Sequence, residues 1–190
     1  MLYYYKATGK LNILLFIMLF FAMVAEVLFQ YNYYKFIEIV SISALILFIC
    51  MIYLLKPIIH FNSRSFAKHN LTELTIGFLI VAGLLMYCLY VIIPSIPNLF
   101  LFLPAVIGFV TVLVILYGVP QFNNNPSNLL LTGVASALLV EMLVAFAYEF
   151  ILDLDFFLVV AILFGAAAKI FFTMFLIRMK DVGYQDHFYF

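Results

Sequence analysis

Six apolar stretches of about twenty residues alternate with short polar breaks along the chain, at roughly 11–29, 36–55, 74–93, 99–118, 129–150 and 156–178. A helix needs about 20 mostly apolar residues to cross the hydrocarbon of a bilayer, so the pattern predicts six transmembrane helices. The breaks carry turn or basic residues: QYNYYK at 30–35, KPIIHFNSRSFAKHN at 56–70, Pro94 and Pro97, VPQFNNNPSN at 119–128, and the Asp153/Asp155 pair. No segment alternates with the period of a barrel strand, and open strands cannot satisfy their backbone groups in lipid. The predicted fold class is therefore all-α, a polytopic membrane helix bundle forming a single transmembrane domain over 1–190.

Composition agrees with the pattern. Hydrophobic residues make up 68% of the 190 and charged residues 9%, with a mean hydropathy of +1.24; a soluble domain is nearer half apolar and a quarter charged. Nine basic residues balance nine acidic ones, so net charge offers nothing to nucleic acid, and the expected partners are membrane lipids. The placement of charge is more informative. Lys6, Lys10, Lys56, Arg64, Lys68, Arg178 and Lys180 fall on one side of the six predicted spans, whereas the other side has Lys35 against Glu149, Asp153 and Asp155. The excess of basic residues in cytoplasmic loops then puts both termini in the cytoplasm, in a multi-pass protein of the plasma membrane. The first apolar run contains Glu26 and lacks a small-residue cleavage signature, and reads as a retained span rather than a signal peptide. The aromatic tail VGYQDHFYF is suited to the interface.

Charges at bilayer depth are costly, so each needs a partner or an aqueous cavity. Glu26, Glu141 and Lys169 are the three candidates. Glu141 lies on a row of small residues with Gly133, Ala137 and Ala145, and Lys169 lies on a row with Gly165 and Thr173; small residues let helices approach closely. The two rows are expected to face each other and to bring Glu141 and Lys169 into an ion pair. Such a pair has a purely structural reading too, since it can fix helix docking without adding net stability. Glu26, near its helix end, also has the option of reaching to the headgroups. Glu38 and Glu73 sit at helix starts, where the dipole favours acidic residues. Cys50 and Cys88 lie in apolar runs without metal-ligand spacing and read as packing residues. His60, His69 and His187 have no ligand spacing either. No hydrolase elbow, zinc-peptidase, nucleotide-loop or dinucleotide motif is present, and no metal or cofactor is expected.

The segments LFFAMVAEVLFQ (19–30) and FIEIVSISALILFICMIYLLK (36–56) resemble the acidic helix and its successor in the YhhN-like lysoplasmalogenase family, with Ala25-Glu26 where that family has Gly-Asp. IIPSIPNLFLFLPAVIGFVTVLVIL resembles the family's proline-led helix, with Gly108 where tyrosine is usual. GVASALLVEMLVAFAYEF (133–150) is similar to the second acidic segment, Val140-Glu141 replacing Ser-Asp, and FLIRM resembles the end of the last helix, with Met174 in place of glutamine. The family commonly has eight spans, and this chain corresponds to the last six. The resemblance implies hydrolysis of the vinyl-ether bond of an ether lysophospholipid, with Glu26 and Glu141 as catalytic carboxyls and Lys169 in the substrate pocket or in an ion pair. With Lys169 on Glu141, Glu141 would serve as the carboxylate and Glu26 as the acid. The substitutions fit almost as well a catalytically inactive lipid-binding or partner-binding membrane subunit, and a proton-linked carrier is a third reading that no inverted repeat supports.

Overall fold

The computed structural model describes residues 1–59, 71–122, 127–152 and 154–181. Arg64, Lys68, His60, His69, Asp153 and the aromatic tail with His187 lie outside them. The described residues are all-helical: α1 (Leu2–Thr8), α2 (Ile13–Leu55), a short 3₁₀ turn at Lys56–Ile58, α3 (Leu71–Ile92), a second 3₁₀ turn at Ile93–Ser95, α4 (Leu99–Phe122), α5 (Asn128–Phe150) and α6 (Asp155–Asp181). Four helical stretches are long and apolar enough to cross a membrane, Ile13–Ile58, Leu99–Gln121, Asn128–Phe150 and Asp155–Met179, and Leu79–Ser95 is a shorter apolar helix. A multi-pass membrane protein in contact with lipid follows.

The long helix α2 is not straight. Asn32 alone leaves helical geometry, with φ −170° and ψ 99°, and its side chain accepts a hydrogen bond from the backbone N–H of Lys35 at 3.0 Å. An asparagine oxygen accepting from a backbone N–H three residues on is a helix N-cap, so residues 33–55 begin a second helix there. Met18, Ala22 and Glu26 from the first half and Ser41, Ala44 and Met51 from the second line one cavity. In a straight helix, Met18 and Met51 would stand ~50 Å apart at 1.5 Å per residue; the chain therefore doubles back at Asn32. The sequence pattern had given this break six residues, and the structure needs one. Tyr31 continues the first helix up to the cap, and Tyr33 and Tyr34 open the second directly after it.

Hydrophobic clusters mark the two ends of the bundle. Tyr33, Ile37 and Ile96 pack with Phe29, Ile92, Phe102 and Phe150 where the Asn32 reversal, the Ile93–Ser95 turn and the end of α5 meet. At the other end Tyr4, Ile58, Val119, Leu131 and Met179 belong to the main core. α1, which precedes the first predicted span, is closed by Gly9 at φ 70° with its N–H on the Tyr5 carbonyl. Only a left-handed residue can end a helix in this way, and glycine does so without steric cost. Buried Tyr4 then docks α1 beside α6. Along residues 13–31, Leu15, Met18 and Ala22 are buried while Phe16, Phe20, Met23 and Val27 point outward, so one apolar face meets protein and the other meets lipid. α5 and α6 form the most extensive helix pair. Cys50 and Cys88 are buried free thiols, as packing residues should be.

Candidate functional site

The buried face of residues 13–31 runs Leu15, Met18, Ala22, and the next position on it is Glu26. This places the carboxylate inside the bundle. On α6, Ala161, Gly165 and Ala168 are buried against neighbouring helices, and Lys169 flanks that stripe. Lys169 Nζ donates to Glu26 Oε1, forming an ion pair between the first and last long apolar segments. The expected Glu141–Lys169 pair is thereby corrected: the ammonium belongs to Glu26, and Glu26 does not reach for the headgroups.

Helix register explains the exchange. Gly133 of α5 lies against the Phe171 ring, and Glu141 lies against Gly165, so Lys169 is level with a position about one helical turn below Glu141. Side chains lean toward the N-terminus of their own helix. Lys169 leans toward the Asn32 end, and Glu26, on a helix running the opposite way, leans toward the Tyr4 end. Their leans converge, so two residues at unequal depth meet midway. Glu141 packs its carboxylate on the α6 backbone: a Cβ added at Gly165 would stand 2.8 Å from Glu141 Cδ, closer than real Cβ contacts come. The facing rows of small residues are thus real at this point, with Gly165 rather than Lys169 opposite the acid.

All three charges line one cavity of about 340 Å³. Glu141 is within electrostatic range of both Glu26 and Lys169, yet among the described residues it makes no hydrogen bond or ion pair. Lys169 and Glu26 keep 25% and 31% side-chain exposure, which fits a pair facing open space rather than solid packing. Gln30, Tyr33 and Ser41 are the further polar residues of the wall; the rest is apolar, with Met18, Met51, Val134 and Phe172 toward the Tyr4 end and Phe102, Phe146 and Phe150 toward the Asn32 end. The charges therefore sit partway along an apolar cleft. Val134 is ~10 Å below Glu141 and Phe150 ~13 Å above it, counted at 1.5 Å per residue along α5.

Ser41, Thr111 and Thr173 return their hydroxyls to carbonyls four residues back in their own helices, at 2.7, 2.8 and 2.8 Å, the usual way a hydroxyl is satisfied away from water. None of the three therefore competes for Glu141. Glu38 instead accepts from Asn98 Nδ2 at 3.4 Å at the Asn32 end, where it ties α2 to the start of α4. No group of three or more metal-ligating side chains occurs among the described residues. What the cleft offers is one carboxylate neutralised by an ammonium and one carboxyl without a partner, a pairing suited to moving a proton beside a developing positive charge. No family model, curated protein or solved structure matches this chain.

Proposed function

We propose that the chain is a six-span, YhhN-like membrane protein that hydrolyses the vinyl-ether bond of an ether lysophospholipid, with both termini on the cytoplasmic face of the plasma membrane. The observation that carries this reading is the meeting of Glu26 and Glu141, from segments far apart in the sequence, at one cavity that Lys169 also lines. These are the carboxyls that the family resemblance names.

The ion pair supports a division of roles. Glu26, holding the ammonium, is the carboxylate; Glu141, without a cation of its own, is the acid, the reverse of the assignment that a Glu141–Lys169 pair would give. Glu141 delivers its proton to the enol-ether carbon away from oxygen, and the positive charge that appears on the adjacent carbon and oxygen lies beside the Glu26 carboxylate. Water then adds to that carbon and returns a proton to Glu141. The hemiacetal so formed breaks its C–O bond as its hydroxyl proton passes to the leaving oxygen, giving a fatty aldehyde and a glycerophospho-alcohol. The tail lies along the wall toward Met18 and Met51, and the headgroup toward Gln30 and Tyr33.

The test is aldehyde release from a lysoplasmalogen by purified protein in vesicles. Glu26→Gln and Glu141→Gln should each slow it by at least ~100-fold, the usual worth of general acid–base catalysis; a wild-type rate in either variant refutes the assignment. The self-neutralised Glu26–Lys169 pair also favours a second reading, a lipid-binding or partner-binding subunit in which the pair only fixes helix docking. That protein would release no aldehyde in any form but would copurify with a lipid or a partner chain.

A further inference from the structure

Lys169 has a chemical capacity that the hydrolase reading leaves unused. Among the described residues it is the one amine lining the cavity. Its nitrogen has a carboxylate partner in Glu26 and a second carboxyl close by in Glu141. Apolar walls continue past it in both directions. An amine so placed meets the requirements for condensing with a carbonyl: a nucleophile, a group to take and return its proton, an acid for the departing oxygen, and a counter-ion for the product.

We infer that Lys169 captures a straight-chain aliphatic aldehyde as a protonated Schiff base. The Lys169 ammonium passes a proton to Glu26, and the freed amine attacks the carbonyl carbon, forming the C–N bond. The carbonyl oxygen, protonated to a hydroxyl by one of the nitrogen's two remaining protons, leaves as water on receiving the Glu141 proton as the nitrogen lone pair forms the C=N bond. Glu26 hands its proton to Glu141, which restores both groups. The net change exchanges the aldehyde C=O for a C=N⁺–H and releases one water. No electron is gained or lost, and the site keeps the same charge: one cation on the lysine nitrogen, opposite ionised Glu26. This constancy favours the reaction in a low-dielectric setting, where creating a new charge is costly.

The wall also bears on the ligand. Gln30, Tyr33 and Ser41 are the polar residues besides the three charges, so the cavity suits a molecule with one polar function and an alkyl chain. An aldehyde can reach Lys169 from the bilayer or be made in place by vinyl-ether hydrolysis. Capture does not rest on the hydrolase reading, and the two sources are separable.

The purified full-length protein in detergent is incubated with decanal, or in a second arm with a lysoplasmalogen, under sodium cyanoborohydride, and digested for peptide mass spectrometry. Reduction should fix an alkyl group on Lys169 at least about tenfold above exposed Lys35, since a chain held in the cleft presents its carbonyl at high effective concentration. The mark should vanish in Lys169→Arg, which keeps the cation but cannot condense, and fall in Glu26→Gln. An adduct with decanal alone supports capture from the membrane, and one in both arms supports capture of a product as well. Labelling of Lys169 no greater than that of Lys35 with decanal overturns the inference, and this comparison within the wild-type protein needs no variant to fold.

Discussion

At Gly165 the Glu141 carboxylate occupies the place a methyl group would take, and as the far end of a flexible side chain facing the cleft it can swing aside. Gly165→Ala should therefore shift the thermal midpoint of the detergent-solubilised protein by less than the equivalent of ~1 kcal/mol, whereas Gly165→Leu, too large for that swing to accommodate, should lower it by ~1–3 kcal/mol, the range for overpacking a filled site. Gly83→Ala is the control. Among the described residues, no atom beyond its chain neighbours and its own helix backbone lies within 4 Å of a Cβ added there, so that change should raise the midpoint slightly through helix propensity, by up to ~1 kcal/mol. A Gly165→Leu protein as stable as the wild type would contradict the close approach of Glu141. The small-residue rows on α5 and α6 made this approach legible from spacing alone. The partner of Lys169 was not legible, because depth counted along two helices says nothing of a third whose acid leans toward it. A double-mutant cycle tests the pair: Lys169→Met and Glu26→Gln should each destabilise, by up to ~3–5 kcal/mol where a half-buried ion loses its partner, and the double variant should be more stable than the Lys169→Met single. Strict additivity in chemical denaturation would contradict the pair.

Helix α2 shows how little sequence is needed to turn a chain at a membrane surface. One asparagine ends the first half and caps the second. Asn32→Ala should cost about 1 kcal/mol through loss of that cap, and Asn32→Asp, which keeps an acceptor oxygen, much less; equal midpoints for the two variants would show that the cap contributes nothing. The apolar spans were readable from length and hydropathy because lipid imposes both. Their orientation about their own axes was not. Residues 13–31 carry large apolar side chains all round, so the protein-facing Leu15, Met18 and Ala22 look no different in sequence from the lipid-facing Phe16, Phe20 and Met23. Helix α1 is not legible in the sequence for a different reason. Seven residues are too few for a helix that stands alone, and this one depends on Gly9 behind it and on the burial of Tyr4.

In the whole molecule, the small cluster around Tyr33 lies at the Asn32 reversal, and the main core extends to the other end, where Tyr4 of α1 joins it. The proposed orientation puts the Asn32 end outside. An impermeant maleimide applied to intact cells should therefore label Tyr31→Cys and spare Leu2→Cys, both positions being more than three-quarters exposed; the opposite pattern would invert the topology. The native Cys50 and Cys88 are buried and should stay unreactive.

The cleft does not end at its charged trio. Because the walls run on both above and below, the trio acts as a fixed stop on a ruler, and what a bound molecule must match is the distance from its polar atom to either tip. On the proposed reading, tail length would decide selectivity before the head does.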